Sequence, residues 1–292
     1  MNTAVIPVPR LADFVALTKP RIVGFIVLTA VAGLWLAPGA PPLVPLLHLV
    51  VGTALVAAGT CALNQVVERD VDGLMRRTRG RPLPAGRVSV PVATAYAWLL
   101  SLSGISWLLV FTNALTAGLA AVTLLSYVFL YTPLKRRTSL ATLVGAVPGA
   151  LPILGGWTAA GGPITFGAAA LFWTLFLWQL PHFLALAWLY RDDYAHAGLR
   201  MLSVQDRDHR VTFRQAALYA AALLPVSLIP ALVGIAGPVY FVGALLLGTW
   251  LVWASVRAVL TADVDRAARQ LFLASVIYLP LLLLLMVVNA RA

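Results

Sequence analysis

Apolar and polar positions alternate along the 292-residue chain on a scale far longer than a helical turn. Apolar runs of about 20 residues, the helix length that crosses a ~30 Å hydrocarbon layer, recur through the sequence. They predict nine helical spans, at 22–37, 43–63, 88–111, 115–133, 139–159, 164–189, 212–234, 238–256 and 270–290. The connections alternate as well. Those after the odd-numbered spans are short and uncharged ("APGAPP", "TNAL", "AAGGPI", "GIAGP"), whereas those after the even-numbered spans are long and charged. The expected fold class is therefore all-α: a polytopic membrane protein of nine transmembrane helices, forming one domain over residues 1–292.

Composition agrees with this reading. The chain is 61% hydrophobic and 11% charged, with a mean hydropathy of +0.91, while a soluble domain carries about 25% charged residues. The net charge of +11 could suggest nucleic acid, but its distribution points elsewhere. Twenty of the 21 Lys and Arg residues precede the first span or fall with the charged connections, and such residues collect in cytoplasmic loops. This expects the N-terminus inside, the C-terminus (with Arg291) outside, and no nucleic-acid partner. All ten acidic residues share that side, so the polar chemistry is concentrated at one membrane face.

The opening "MNTAVIPVPRLADFVALTKPR" places Arg10, Lys19 and Arg21 before the first span, but no clear small-x-small cleavage site follows. A retained span is expected instead of a cleaved signal. The single cysteine, Cys61, excludes an intramolecular disulfide and a cysteine-based metal site.

The stretch "CALNQVVERDVDGLMRRTRGRPLPAG", Cys61 to Gly86, breaks the apolar pattern most sharply. If the second span continues as a helix past Leu63, Asn64, Glu68, Asp72 and Arg76 recur every four residues and line one face. An amide oxygen and two carboxylates on one face suit a hard cation. Mg²⁺ fits best, because it binds through one or two carboxylates and keeps substrate phosphates and waters as its other ligands. Asp70 points the opposite way and needs local unwinding or an arginine partner. A solvated charged loop is the bland alternative, but carboxylates at the end of a span are functional candidates by default. Arg76, Arg77, Arg79, Arg81 and Arg87, with Lys135, Arg136 and Arg137 on the next charged connection, exceed what three acids need. Guanidinium pairs bidentately with phosphate, so carboxylates beside these cations describe a diphosphate site. Membrane-lipid headgroups would account for the basic residues but not for the acids.

A second cluster runs from Trp178 to Arg210. Asp192 and Asp193 follow the sixth span, with Arg191 beside them, His182 about three turns earlier, and Pro181 expected to kink the span. In the fifth span Gly145 and Gly149 have a spacing that favours close helix approach. Tyr127, Tyr131, Trp157, Phe172, Trp173 and Trp178 are candidate cavity-lining aromatics. The charged connections after spans two and six also suggest a weak parallel repeat.

The runs "ERDVDGLMRRTRGRPLPAG", "YTPLKRRT", "GAVPGALPILGGW", "WQLPHF" and "YRDDYAHAG" together resemble the protoheme IX farnesyltransferase (heme O synthase) family of the UbiA-type intramembrane prenyltransferases. That resemblance implies a farnesyl transfer from farnesyl diphosphate to the 2-vinyl group of heme B, with water added, giving heme O and diphosphate. It also implies a Mg²⁺ cofactor, a multi-pass place in a bacterial cytoplasmic membrane with the active site on the cytoplasmic side, and a link to terminal oxidase or heme A synthesis machinery. Carried over by position, it expects Asn64, Glu68, Asp70, Asp72 and Asp193 to be catalytic and Asn64, Glu68, Asp72, Asp192 and Asp193 to hold metal. Arg76, Arg81, Lys135, Arg136 and Arg191 are expected to bind diphosphate, and His182 to lie near heme.

The chain departs from the family pattern at Glu68, where many relatives have Asp, and at Ala197, where other members have a second acid. It departs again at Arg200 and Ser203, where prolines are usual, so a different loop is expected there. Two other readings remain at this stage: the same fold acting on a quinone-type aromatic ring, and an ion-coupled transporter.

Overall fold

The computed structural model describes residues 9–39 and 43–290. Arg291, the last three residues of "APGAPP" and the start of the N-terminal stretch lie outside the described residues. The chain is helical throughout: α1 (Leu11–Thr18), α2 (Pro20–Leu36), α3 (Leu43–Leu74), α4 (Val90–Phe111), α5 (Ala114–Leu125), α6 (Thr132–Leu134), α7 (Ala141–Ala159), α8 (Phe166–Leu189), α9 (Arg191–His196), α10 (Leu202–Gln205), α11 (Arg210–Leu232), α12 (Pro238–Leu260) and α13 (Val264–Val288). Among the described residues eight helices are long and apolar enough to cross a membrane, α5 and α6 counting as one through Leu134. The first expected span is α2, which meets α1 at a 45° bend, and the count reaches nine only when that pair is taken together.

The bend has a local cause. Lys19 adopts the left-handed conformation, φ 51°, ahead of Pro20, and proline disfavours right-handed helix in the residue before it. Pro181 does not end α8, which continues through it to Leu189.

Two apolar cores divide the molecule. One joins α1 to α5 through residues such as Leu17, Leu34, Val56, Ala97 and Leu124. The other joins α7, α8 and α11 to α13 with α2, through residues such as Ile153, Leu171, Phe213, Tyr240 and Tyr278. Helix α7 is the most enclosed of the spans, and glycine lets α2 lie directly against it. A Cβ on Gly33 would strike the carbonyl of Ile153, and one on Gly156 would strike that of Ala30. In a membrane, where lipid removes most of the hydrophobic drive for helix association, such close packing is a principal source of cohesion.

Helix α3 is the element that sets the site. It runs through Leu74, well past the apolar segment, and carries the acidic positions as continuous helix. A small apolar cap of Val71, Met75, Ala187, Ala197, Leu199 and Met201 fastens its end to α8 and the segment after it. Within the span that begins at α5, residues Ser126–Tyr131 form a π-helical segment, a widened turn common at functional sites.

Candidate active site

Three side chains on one face of α3 each meet a partner from elsewhere in the chain. Asn64 Oδ1 accepts from Lys19 Nζ at 2.9 Å, and Asn64 Nδ2 donates to Thr132 Oγ1 at 3.2 Å. One turn further on, Lys135 Nζ pairs with Glu68 Oε1 at 2.8 Å. One turn beyond that, Arg81 Nη1 pairs with Asp72 Oδ2 at 2.6 Å. Asp72 is buried, and its Oδ1 has no hydrogen-bond partner. The four-residue spacing read from the sequence thus becomes a ladder of three oxygen-bearing side chains, each facing a cation.

The π-helical segment supplies the far wall. Thr132 Oγ1 donates to Tyr127 O at 2.8 Å, five residues back, which turns Thr132 towards Asn64. Lys135 Nζ lies 4.4 Å from the centre of the Tyr131 ring. That ring occupies the notch left by Gly145, where a Cβ would collide with it. Burial disfavours the charge on Lys135, but Tyr131, Glu68 and Tyr127 outweigh it and hold the pKa well above the ordinary lysine value.

Lys19 reaches the ladder because α1 is strapped across α3. Gln65 Nε2 donates to the carbonyls of Ala16 and Leu17 at 3.2 and 2.8 Å. Asp13 pairs with Arg87 at 2.7 Å, and Arg87 also donates to Gly80 O. In the sequence Lys19 stands out only as one of the basic residues ahead of the first span. The αL turn that aims it inward has as its sequence signal only the proline that follows.

The remaining expected residues are distributed around this ladder. Asp70 is exposed and pairs with Arg69 at 2.8 Å, which realises the arginine-partner alternative. Arg76 lines a polar cleft of ≈ 890 Å³ with Arg77, Arg79, Asp192, Asp193 and His196. Across this cleft the Arg77 backbone N–H donates to Asp193 Oδ2 at 3.4 Å, while the Asp192 side chain is almost fully exposed. Arg136 lines a smaller hollow beside Glu68. Arg191 pairs with Asp265 at 3.0 Å and stacks 4.6 Å from the Trp188 ring, so it ties α9 to α13. His182 is held by Ser275 Oγ at 2.9 Å and stacked against Trp178 and Phe272.

The structure therefore does not gather the five expected metal ligands. Among the described residues no three His, Cys, Asp or Glu side chains stand close enough to share a metal. Glu68 and Asp72 are each held by a cation of their own, and Asp192 and Asp193 line the separate polar cleft. The donor set still fits Mg²⁺, which needs only one or two carboxylates when phosphates and water complete its shell. Asp72 Oδ1 is a buried acceptor with nothing else bound to it.

The expected aromatics separate by role. Tyr127 lines an apolar cavity, Trp157 donates to Pro163 O, and Phe172 and Trp173 pack with Phe176. Gly149 is bare because a Cβ would collide with Gln179 Oε1, which is the close packing its spacing suggested. At Arg200, the N–H donates to Lys135 O at 2.9 Å, a bond for which proline has no hydrogen. Ser203 Oγ donates to Ala187 O at 2.8 Å.

Comparison with known proteins decides the class. The sequence profile of the UbiA prenyltransferase family matches residues 26–276. The chain belongs to the UbiA prenyltransferase family. UbiA-family relatives named protoheme IX farnesyltransferase include one from Solibacter usitatus, 47% identical over 95% of this chain and 98% of its own length. Another, from Koribacter versatilis, is 46% identical over 96% and 93%. Solved structures share the fold at low identity. A digeranylgeranylglyceryl phosphate synthase aligns with a TM-score of 0.80 at 15% identity, covering 96% of this chain and 98% of that one. A UbiA homologue from Archaeoglobus fulgidus bound to GPP and Mg²⁺ aligns at 0.64 and 14%, covering 94% and 99%. UbiA membership displaces the transporter reading.

Proposed function

We propose that this prenyltransferase moves the farnesyl group of farnesyl diphosphate onto the 2-vinyl group of heme B, with addition of water, yielding heme O and diphosphate. The observation that carries the reading is the junction at Asn64. Above it stand the Glu68–Lys135 and Asp72–Arg81 pairs; below it, from Cys61 and Tyr127 onward, lies a narrow and almost wholly apolar cavity. A prenyl diphosphate has this same division. The heme acceptor is supported by the relatives' names and by identity over nearly the whole of both chains.

Asp72 Oδ1, with Glu68 and Asn64 next along the face, would hold Mg²⁺, which when bound neutralises charge on the diphosphate. Arg81 and Lys135, now paired with carboxylates, are placed to turn to the diphosphate oxygens, with Arg76 entering from the cleft and Arg136 from the Glu68 side. Cations aimed where charge develops lower the barrier to ionisation. The C1–O bond of the substrate then breaks with its electron pair leaving on diphosphate. The vinyl π electrons form the new bond to C1, and water adds to the resulting cation with loss of a proton. Tyr131 and Tyr127 offer ring faces to the allylic cation, and the apolar walls keep bulk water from capturing it first.

In this reading the charged end of the bundle faces the cytoplasm of a bacterial inner membrane, α1 and α2 form the ninth span, and the product passes to terminal oxidase or heme A synthesis machinery. The test is incubation of the purified protein with heme B, farnesyl diphosphate and Mg²⁺, followed by mass analysis of the heme. A heme heavier by one farnesyl group and one hydroxyl is expected. Unmodified heme, with prenylation of an aromatic acceptor instead, would overturn it.

A further inference from the structure

The cavity below Asn64 ends against the bonded outer ends of α5 and α7 and the Leu108 side chain of α4. It descends along α3 from Cys61 to Thr53 and is walled by α2, α5 and α7, with Leu108, Thr116 and Gly155 at the far end. From Asn64 to Thr53 the helix rises about 16 Å, which matches three extended isoprene units. At ≈ 110 Å³ it is far smaller than the polar cleft of ≈ 890 Å³. Three of its four threonines are bonded within the protein: Thr60 donates to Val56 O, Thr123 to Leu119 O, and the Thr116 hydroxyl meets that of Thr158. The cavity therefore offers a ligand apolar surface.

The floor is fastened by its own bonds. Asn113 Nδ2 donates to Thr158 O at 2.7 Å, Thr116 N donates to Asn113 Oδ1 at 2.8 Å, and the Thr116 and Thr158 hydroxyls lie 2.8 Å apart. Leu108 is buried against α3 at Gly52, where a Cβ would meet its side chain at 2.5 Å.

Gly155 stands apart from most of the glycines on α7. Gly145, Gly149 and Gly156 are bare because Tyr131, Gln179 and Ala30 occupy the space a Cβ would need. At Gly155 a Cβ would meet no atom within 4 Å, yet the residue lines the cavity. Packing does not require that glycine. Its lack of a side chain keeps open the last part of the cavity.

We propose that Gly155, with Leu108 and Thr116, sets the prenyl chain length: the floor admits three isoprene units, stops a fourth, and leaves a shorter chain with unfilled apolar space. This rests on the prenyl-transfer reading above and adds to it a length-selecting residue. The competing route for a tail is the outward groove between α2 and α13, lined by Leu28, Trp35, Pro280 and Leu284, where a chain would run into lipid and its length would not be read.

The experiment compares geranyl, farnesyl and geranylgeranyl diphosphates with heme B as the common acceptor, reading kcat/KM for each. Wild type should prefer farnesyl. Gly155→Ala and Gly155→Leu should lower the farnesyl-to-geranyl ratio in graded steps, the larger by about tenfold or more, as expected when an apolar pocket loses at least a methylene of depth. Leu108→Ala should raise use of geranylgeranyl. Gly155→Ala adds one methyl into open space, so the series keeps a folded member if the larger variants fail. Unchanged ratios in folded Gly155 variants, or ratios that respond to Trp35→Ala instead, overturn the gauge while leaving the transfer reading standing. Absence of heme prenylation by wild type with all three donors defeats the transfer reading; binding of the three diphosphates, followed by tryptophan fluorescence without heme, then still tests the gauge by whether Gly155→Leu weakens farnesyl more than geranyl.

Discussion

Asp72 gives one carboxylate oxygen to Arg81 and leaves Oδ1 buried without a partner. A buried acceptor left unmade is costly, so the residue is poised for a ligand. Asp72→Asn should lower turnover by about 100-fold or more while leaving the protein folded in detergent, and the loss should not be recovered by raising Mg²⁺. Lys19 offers a complementary test. Its αL backbone costs about 1–3 kcal/mol, and the return is an ammonium placed against Asn64. Lys19→Met should raise the KM for farnesyl diphosphate by about tenfold, one lost charge-assisted contact, with little change in the KM for heme. The Glu68–Lys135 pair separates stability from function. Lys135→Met strands a mostly buried carboxylate and should destabilise the protein by about 3–5 kcal/mol. Adding Glu68→Gln should restore thermal stability without restoring turnover. The ladder's four-residue period was legible in the sequence because α3 is regular helix there. Its counter-charges were only half legible: Arg81 and Lys135 were expected among many cations, and Lys19 was not expected at all.

At the scale of elements, most boundaries were read to within a few residues because membrane spans are long and their ends are marked by charge. The exceptions are helices that run on into charged sequence, α3 to Leu74 where 63 was expected and α13 from Val264 where 270 was expected. Predicted 88–111 and 164–189 became Val90–Phe111 and Phe166–Leu189. What apolar patterning could not show was local departure from α-helix. The π segment Ser126–Tyr131 has the composition of any apolar turn, yet it turns Thr132 towards Asn64 and seats Tyr131 in the Gly145 notch. Glycines behave similarly: four on α7 look alike in sequence, and only the neighbours across each interface distinguish them. Gly149→Ala should destabilise the protein by about 1–3 kcal/mol, the usual effect of overpacking, because its Cβ meets Gln179. Gly155→Ala should leave the detergent melting temperature within about 1–2 °C of wild type. Thermal unfolding of the two variants side by side checks both.

At the scale of the whole molecule, the charged ends of the helices are joined by bonds between distant segments. Asp13 to Arg87, Arg200 to Lys135 and Arg191 to Asp265 link the N-terminal strap, the first three charged connections and the last helix. The proposed orientation puts this assembly in the cytoplasm. In a Cys61→Ala background, Thr138→Cys should react with an impermeant thiol reagent only when the cytoplasmic side is exposed, and Gly161→Cys only from the opposite side. Reversed labelling would overturn the orientation.

By itself the sequence determined the helical class, the span positions, the concentration of charge at one face and the carboxylate ladder. These follow from composition and from the helical period, which act within a single segment. The tertiary structure decided which cation each carboxylate holds, that Asp192 and Asp193 stand apart from Glu68 and Asp72, and that an apolar cavity lies beneath them. Each of those depends on how helices far apart in sequence approach one another. That approach is set by shape complementarity between faces, such as Gly33 on Ile153 and Gly145 on Tyr131, which no local pattern encodes.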